Sequence, residues 1–256
     1  MNARALEDLA PPLLFGLAVL ALWEMGVRLL GVPAIILPAP SAIGLRLATS
    51  IPTLTADFFQ TIRGVLAGYF IGSAAGLIVA ILIDRSGFLQ RGLLPLGNLV
   101  SALPIVGVAP IMVMWFGFDW QSKAAVVVIM TFFPMLVNAS AGLSSAGAKE
   151  RDLMKTYAAD YWQTLLKLRL PAALPFVFNA LKINTTLAMI GAIVAEFFGT
   201  PTVGMGFRIS TEVGHLSIDM VWATIVVAAV TGSAFYALVA LIERRATFWH
   251  ASYRAR

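Results

Sequence analysis

Four stretches of this chain run twenty or more residues without a charged side chain: 64–83, 92–118, 124–148 and 220–242. A helix rises about 1.5 Å per residue, so crossing a hydrocarbon layer takes roughly 20 apolar residues. Within a bilayer the backbone must satisfy its own hydrogen bonds, and for uninterrupted runs of this length the helix does so. Two further segments come close. Residues 11–32 are apolar apart from Glu24 and Arg28, and 170–198 apart from Lys182 and Glu196. Only 12% of the 256 residues are charged, against about 25% in a soluble domain. The expected fold is therefore all-α: a polytopic bundle of about six transmembrane helices, forming one domain over 1–256. The spans are expected near 11–32, 61–83, 92–118, 124–143, 173–198 and 220–242.

The formal charge of +5 invites a nucleic-acid reading, but its distribution argues otherwise. Twelve of the 18 Lys and Arg fall on one set of alternate loops and termini, five on the other, and Lys182 lies inside a span. The positive-inside rule then places both termini in the cytoplasm of a multi-pass protein of the cell (inner) membrane. The partner implied is the lipid bilayer, and no nucleic acid is expected. With no cysteine there are no disulfides or thiolate metal sites. The first apolar segment is too long for a signal-peptide core and lacks a small-residue cleavage site, so it reads as an uncleaved span.

Punctuation along the chain is informative. The loop "PAIILPAPS" (33–41) holds three prolines and cannot continue a helix. Gly64, Gly68, Gly72 and Gly76 recur every four residues, lining one helix face for close approach of another backbone. Packing within one bundle is the expected use, a dimer interface the lesser one. The third span is long for one plain helix and carries Pro95, Pro104 and Pro110. Part of 88–100 is expected at the interface or as a half-crossing, followed by a kinked crossing over 103–115. The G-x-G at Gly204 and Gly206 has neither a third glycine nor a strand–helix context, so it makes no dinucleotide site.

Catalytic machinery is absent from the sequence. There is no G-x-x-x-x-G-K-[ST] to cradle phosphates and no H-E-x-x-H, and the histidines, His215 and His250, fall in different loops. No catalytic residue and no metal ligand is assigned. Of the charges within spans, Glu24 and Arg28 have the i, i+4 spacing of a local ion pair. Lys182 is placed to snorkel toward the cytoplasm. Glu196 fits structural pairing or a path-lining role equally well.

The densest charge lies in "RDLMKTYAADYWQTLLKLRLPAALP" (151–175). Tyr157, Tyr161, Leu165 and Leu168 follow helical spacing, an apolar stripe closed by Pro171 and Pro175. Such a helix can lie on lipid headgroups or insert into a groove on a partner protein, and composition leaves the two even. Tyr157, Tyr161 and Trp162 resemble interface anchors, each worth about 2 kcal/mol or more.

The same stretch resembles the "EAA" loop of ABC-importer permeases, patterned E-A-A-x-x-x-G-x9-I-x-L-P. Anchored on Leu170-Pro171, the pattern puts its I on Leu168, its G on Ala158 and its E-A-A on Asp152-Leu153-Met154. "ILPAPS" (36–41), "TIRGVLAGYFIG" (61–72), "ALPIVGVAPIMVMWFGF" (102–118), "GAIVAEFFG" (191–199) and "VGMGF" (203–207) are similar to the same family, in its nitrate, sulfonate and taurine branch, which includes permeases for thiamine precursors. The departures are Asp for Glu at 152, Leu153 and Met154 for two alanines, and Ala158 for glycine. If position 158 needs left-handed dihedrals, alanine costs roughly 1–2 kcal/mol there.

The resemblance implies a type I importer permease, with 149–171 as a cytoplasmic coupling loop docked on a separate ABC ATPase present in two copies. That partner would hold ATP and Mg, so this chain needs no cofactor of its own and is not the enzyme. A second permease copy, giving a homodimer, and an extracytoplasmic solute-binding protein complete the expected partners. Translocation-path candidates are Asn98, Ser101, Met112, Met114, Asn184, Thr185, Thr186, Met189 and Glu196. They suit a neutral or weakly cationic aromatic solute, a pyrimidine-like vitamin precursor first, with sulfonate, taurine or nitrate second. The rival class is a self-contained carrier or channel.

Overall fold

A computed structural model describes residues 3–101, 103–199 and 203–248. Its elements are α1 (Ala3–Leu29), α2 (Pro40–Thr49), α3 (Ile51–Asp84), α4 (Gly87–Ser101), α5 (Ile105–Phe116), α6 (Trp120–Ser144), α7 (Ala148–Thr156) and α8 (Tyr161–Thr164). A π-helical turn over Leu165–Arg169 follows, then α9 (Leu170–Phe198), α10 (Met205–Gly214) and α11 (Ile218–Ala246). Among the described residues, five helical stretches are long and apolar enough to cross a membrane: Ala10–Leu29, α3, α6, the continuous run Tyr161–Phe198, and α11. The shorter α5 is apolar as well.

Several element boundaries differ from the sequence expectation. The segment 92–118, expected either as one long span or as a part-crossing within 88–100 followed by a crossing over 103–115, is not one helix. It divides into α4 and α5, with Pro104 in extended conformation as the cap of α5, because proline cannot donate to a helical ladder and disfavours helix in the residue before it. Gly117, at φ 81°, then ends α5. The second long helix starts at Ile51, ahead of the expected 61. Two short helices, α2 and α10, occupy segments that carry no long apolar run. Pro40 opens α2 at its first position, where a missing N–H costs nothing.

The core is α3, α6 and α9. A methyl group on Gly68 would sit 2.6 Å from the Ala124 carbonyl oxygen, on Gly72 2.8 Å from that of Val128, and on Gly76 2.9 Å from the Met135 Cβ. The glycine ladder therefore serves contact between α3 and α6 inside one bundle. Around it Val65, Tyr69, Val127, Ala188, Met189, Ala192 and Met205 form one buried cluster. Ala80, Ile83, Met135, Leu136, Ala139, Val177 and Ala180 form a second. α1 leaves Leu13, Leu14, Phe15, Leu17 and Leu22 exposed.

Candidate functional site

The charged loop between α6 and α9 divides into a free arm and an anchored base. α7 buries no residue, and its Asp152–Lys155 pair, at 3.0 Å, is largely solvated on both sides. An exposed pair of this kind is worth little. Tyr157 is 77% exposed and Leu153 55%, both held away from the bundle. The chain then reverses. Ala158 N–H donates to the Lys155 carbonyl at 2.8 Å and Ala159 N–H to that of Met154 at 3.0 Å, with Ala158 at φ 51°. This is the paired-bond helix stop that usually places glycine in the left-handed position. The turn is thus made at Ala158, the position where the EAA pattern has its glycine.

Beyond the turn, Asp160 opens α8 with a reciprocal cap. Gln163 N–H donates to the Asp160 carboxylate at 2.7 Å, and the Gln163 side chain accepts from Asp160 N–H at 3.3 Å. The apolar stripe expected on one helix is therefore broken. Tyr157 belongs to the arm, whereas Tyr161 and Leu165 turn inward, packing with Ile81, Leu143, Leu170 and Ala173. The physical reason is the stop at Ala158, which resets the helical phase. Tyr161 hydroxyl donates to Asp84 at 3.0 Å, and Arg169 grips the same carboxylate at 2.6 and 2.7 Å. Arg85 lies over the rings of Tyr161 and Trp162, 5.0 and 5.7 Å from their centroids. Trp162 remains 52% exposed. Leu168 and Pro171 are half-buried at the base of α9.

The path candidates do not share one surface. Asn184, Thr185, Met189, Met112 and Glu196 are buried within the protomer, Met189 at the edge of a cavity it shares with Thr186. Asn184 donates to Ser73 at 2.9 Å and to the Thr131 carbonyl at 2.8 Å, tying α9 to α3 and α6. Thr185 donates to the Lys182 carbonyl at 2.7 Å. A polar side chain in a tight apolar core needs such partners; the Asn184 amide nitrogen has two, whereas its Oδ1 has none among the described residues. Thr186 and Met114 are exposed, and Thr186 lines a cavity of about 590 Å³ with Ile190, Ser233 and Tyr236. The side chains of Asn98 and Ser101 lie outside the described residues, as does His250.

The remaining intramembrane charges serve the framework. Arg28 donates to Glu24 at 2.5 Å, and Glu24 also accepts from Ser41 at 2.7 and 2.9 Å, joining α1 to the start of α2. Lys182 is held by a specific partner near the C-terminal end of α11. It pairs with Glu243 of α11 at 2.7 Å. At the far end of α9 from the loop, Glu196 accepts from Thr61 at 2.8 Å and from Gly206 N–H at 2.7 Å. Asp57 accepts from Gly204 N–H at 2.9 Å and from Arg208 at 2.8 Å, and Thr61 accepts from Met205 N–H at 2.9 Å. Together they satisfy the N–H groups that the start of α10 leaves open. Beside them Lys123, 2% exposed, donates to the carbonyls of Phe118, at 2.5 Å, and Gly199. Sequence reasoning missed Asp57, Asp84, Lys123 and Glu243, because each sits at or near a span end and reads there as a loop charge.

At the start of α6, Asp119 accepts from Gln60 at 2.9 Å and from Trp120 N–H at 2.8 Å. These bonds hold its carboxyl below the usual carboxylate range. Among the described residues no group of three or more His, Cys, Asp or Glu side chains could hold a metal ion.

Comparison with known proteins places this architecture. Residues 68–248 match the family described as binding-protein-dependent transport system inner membrane component. The formylaminopyrimidine transport permease protein ThiX of Halalkalibacterium halodurans is 32% identical over 250 residues, covering 96% of this chain and 98% of that protein. The riboflavin transport system permease protein RibX of Chloroflexus aurantiacus is 30% identical over 236 residues, 91% of this chain and 88% of RibX. The taurine transport system permease protein TauC of Escherichia coli is 29% identical over 199 residues, 77% of this chain and 69% of TauC. Among solved structures, the inward-facing MetNI methionine ABC transporter is similar in fold, with a TM-score of 0.66 at 19% identity, over 78% of this chain and 98% of the compared one.

Proposed function

This chain belongs to the family of binding-protein-dependent transport system inner membrane components and is an ABC importer permease, and from that premise we propose that it imports a small aromatic heterocycle, driven by a separate ATPase that docks on the α7 arm. The observation that carries the docking is the arm itself. It is a short helix with no buried residue, presenting Leu153, Tyr157 and the neighbouring Trp162 at the end of an otherwise apolar bundle. Exposed aromatic anchors on a rigid helix suit insertion into a protein groove. Asp152, Leu153, Met154, Tyr157, Ala158 and Trp162 form the docking element, and Tyr161, Leu168 and Pro171 its base.

Two copies of the permease would enclose the path, with one ATPase on each arm and a solute-binding protein on the opposite side. The uneven distribution of Lys and Arg supports an orientation with both termini and α7 in the cytoplasm. The pyrimidine-like substrate rests on the two relatives of at least 30% identity named above, both permeases for heterocyclic compounds. The exposed Met114 and Thr186 suit a neutral or weakly cationic ring. A sulfonate or taurine substrate is the second reading, favoured by the likeness to TauC.

Purification from native membranes tests the proposal. The expected result is co-purification of an ATPase in two copies, together with a binding protein whose ligand mass spectrometry identifies as an aromatic heterocycle. A bound sulfonate would move the assignment to the second reading. A chain that comes away alone and moves solute without ATP would be a self-contained carrier, and the docking assignment would fall. The same capture tests orientation, because a cytoplasmic ATPase reaches α7 only from its own side.

A further inference from the structure

The base of the loop contains a joint that docking alone does not require. Arg169 uses all three nitrogens of its guanidinium on the framework. Its two terminal nitrogens donate to the two oxygens of Asp84 at 2.6 and 2.7 Å, and its Nε donates to the Leu143 carbonyl at 2.9 Å. Asp84 is the last residue of α3, Leu143 lies in the last turn of α6, and Arg169 immediately precedes α9. One side chain thus ties the ends of the three core helices together. The side chains are 16% and 8% exposed, and the planar, bidentate fork holds both distance and angle, which a lysine could not do. Tyr161 adds a further bond to Asp84 from the arm side.

The joint sits on an irregularity. Residues Leu165–Arg169 form a π-helical turn, in which Leu170 N–H reaches back to the Leu165 carbonyl. Such turns are wider than an α-helix, recur at functional sites, and mark places where a helix can bend. α7 buries no side chain of its own, so a displacement of it reaches the bundle through this turn and through the α8 residue Tyr161, which is bonded to the same Asp84. An untethered π turn would yield first, and the displacement would end there.

We infer that the Asp84–Arg169 ion pair clamps the π turn to the ends of α3 and α6, so that a displacement of the α7 arm moves the three core helices as one body. Arg169 and Asp84 are positioning residues for transport, acting through the helices they join. The inference rests on the proposed two-copy assembly with an ATPase on each arm.

The chain has no cysteine, so single cysteines introduced for spin labels report cleanly on the purified complex in lipid nanodiscs. A label at Lys149 follows the arm, and one at Phe116 on α5 follows the bundle. Both are read as distances between the two copies, before and after trapping with ATP and vanadate. In the parent complex both distances shift. In Asp84→Asn the ATPase stays bound and hydrolyses ATP, the Lys149 distance still shifts, and the Phe116 shift is lost. The reversed pair, Asp84→Arg with Arg169→Asp, restores at least part of the Phe116 shift, which a merely folded bundle would not predict. Full Phe116 shifts in Asp84→Asn overturn the inference, and so does loss of the bound ATPase, which would make the pair part of the docking surface. If the parent complex itself holds no ATPase, the failure lies with the proposed function and not with the clamp.

Discussion

Ala158 carries a conformation that its side chain disfavours. At φ 51° it occupies the left-handed stop of α7, where an L-residue with a Cβ pays roughly 1–2 kcal/mol relative to glycine. Ala158→Gly is therefore expected to stabilise the turn by about 1 kcal/mol, after allowing for the greater freedom of glycine in the open state. Hydrogen exchange at Ala159 N–H, which bonds to Met154, should slow roughly fivefold. Unchanged or faster exchange would show that the turn is held by something other than its own dihedrals. Glu196 presents the opposite situation, a buried carboxyl held by donors from two other elements. Glu196→Ala leaves Thr61 and Gly206 N–H short of an acceptor and removes the carboxylate near Lys123. Removing one member of a buried charged network costs about 3–5 kcal/mol. Its thermal midpoint in detergent is expected to fall well below that of Glu196→Gln, which keeps one acceptor oxygen. Equal midpoints would remove Glu196 from the framework.

At the level of elements, close approach distinguishes glycines that composition treats alike. On α3, Gly68 faces the α6 backbone, whereas a methyl group on Gly16 of α1 would meet nothing within 4 Å. Gly68→Val is expected to destabilise the bundle by about 1–3 kcal/mol or more, since a packed interface cannot absorb the added carbons. Gly16→Val is expected to leave the melting profile unchanged, and comparable losses in both variants would contradict the α3–α6 contact. The ladder's spacing was legible in the sequence because a period of four lines one helix face. Its partner was not, since Val127, Val128 and Thr131 are ordinary span residues until the two helices meet. The apolar stripe of the loop erred for a related reason. Periodicity presumes an unbroken helix, and one left-handed residue moves Tyr157 and Tyr161 onto different bodies.

For the whole molecule, the decisive question is whether the arm engages another protein. Tyr157→Ala is expected to weaken ATPase association by about 2 kcal/mol, roughly thirtyfold in Kd, without altering the fold. Tyr161→Ala, by contrast, removes a bond to Asp84 and should disturb the base of α9 as well. Titration of purified ATPase against each variant in nanodiscs separates the two. Equal affinity of Tyr157→Ala and the parent chain would exclude the arm as the docking element. The separation follows from exposure, because Tyr157 can be truncated at no cost to the bundle whereas Tyr161 cannot.

Long uncharged runs, the uneven placement of Lys and Arg, and the prolines that interrupt them determined from sequence alone that this chain is a polytopic helical membrane protein, since the bilayer imposes length and polarity on every crossing. The motifs along it determined the family. Which charges hold the frame and which stay free was decided only by tertiary structure. Sequence placed Lys182 to snorkel and left Glu196 open between pairing and path lining, yet the partners that take them up, Glu243 and Thr61, are distant in sequence. Asp84 and Arg169 read as loop charges, yet they join three helix ends. A buried charge gets its role from the groups that replace its water, and those groups are assembled only when the helices pack.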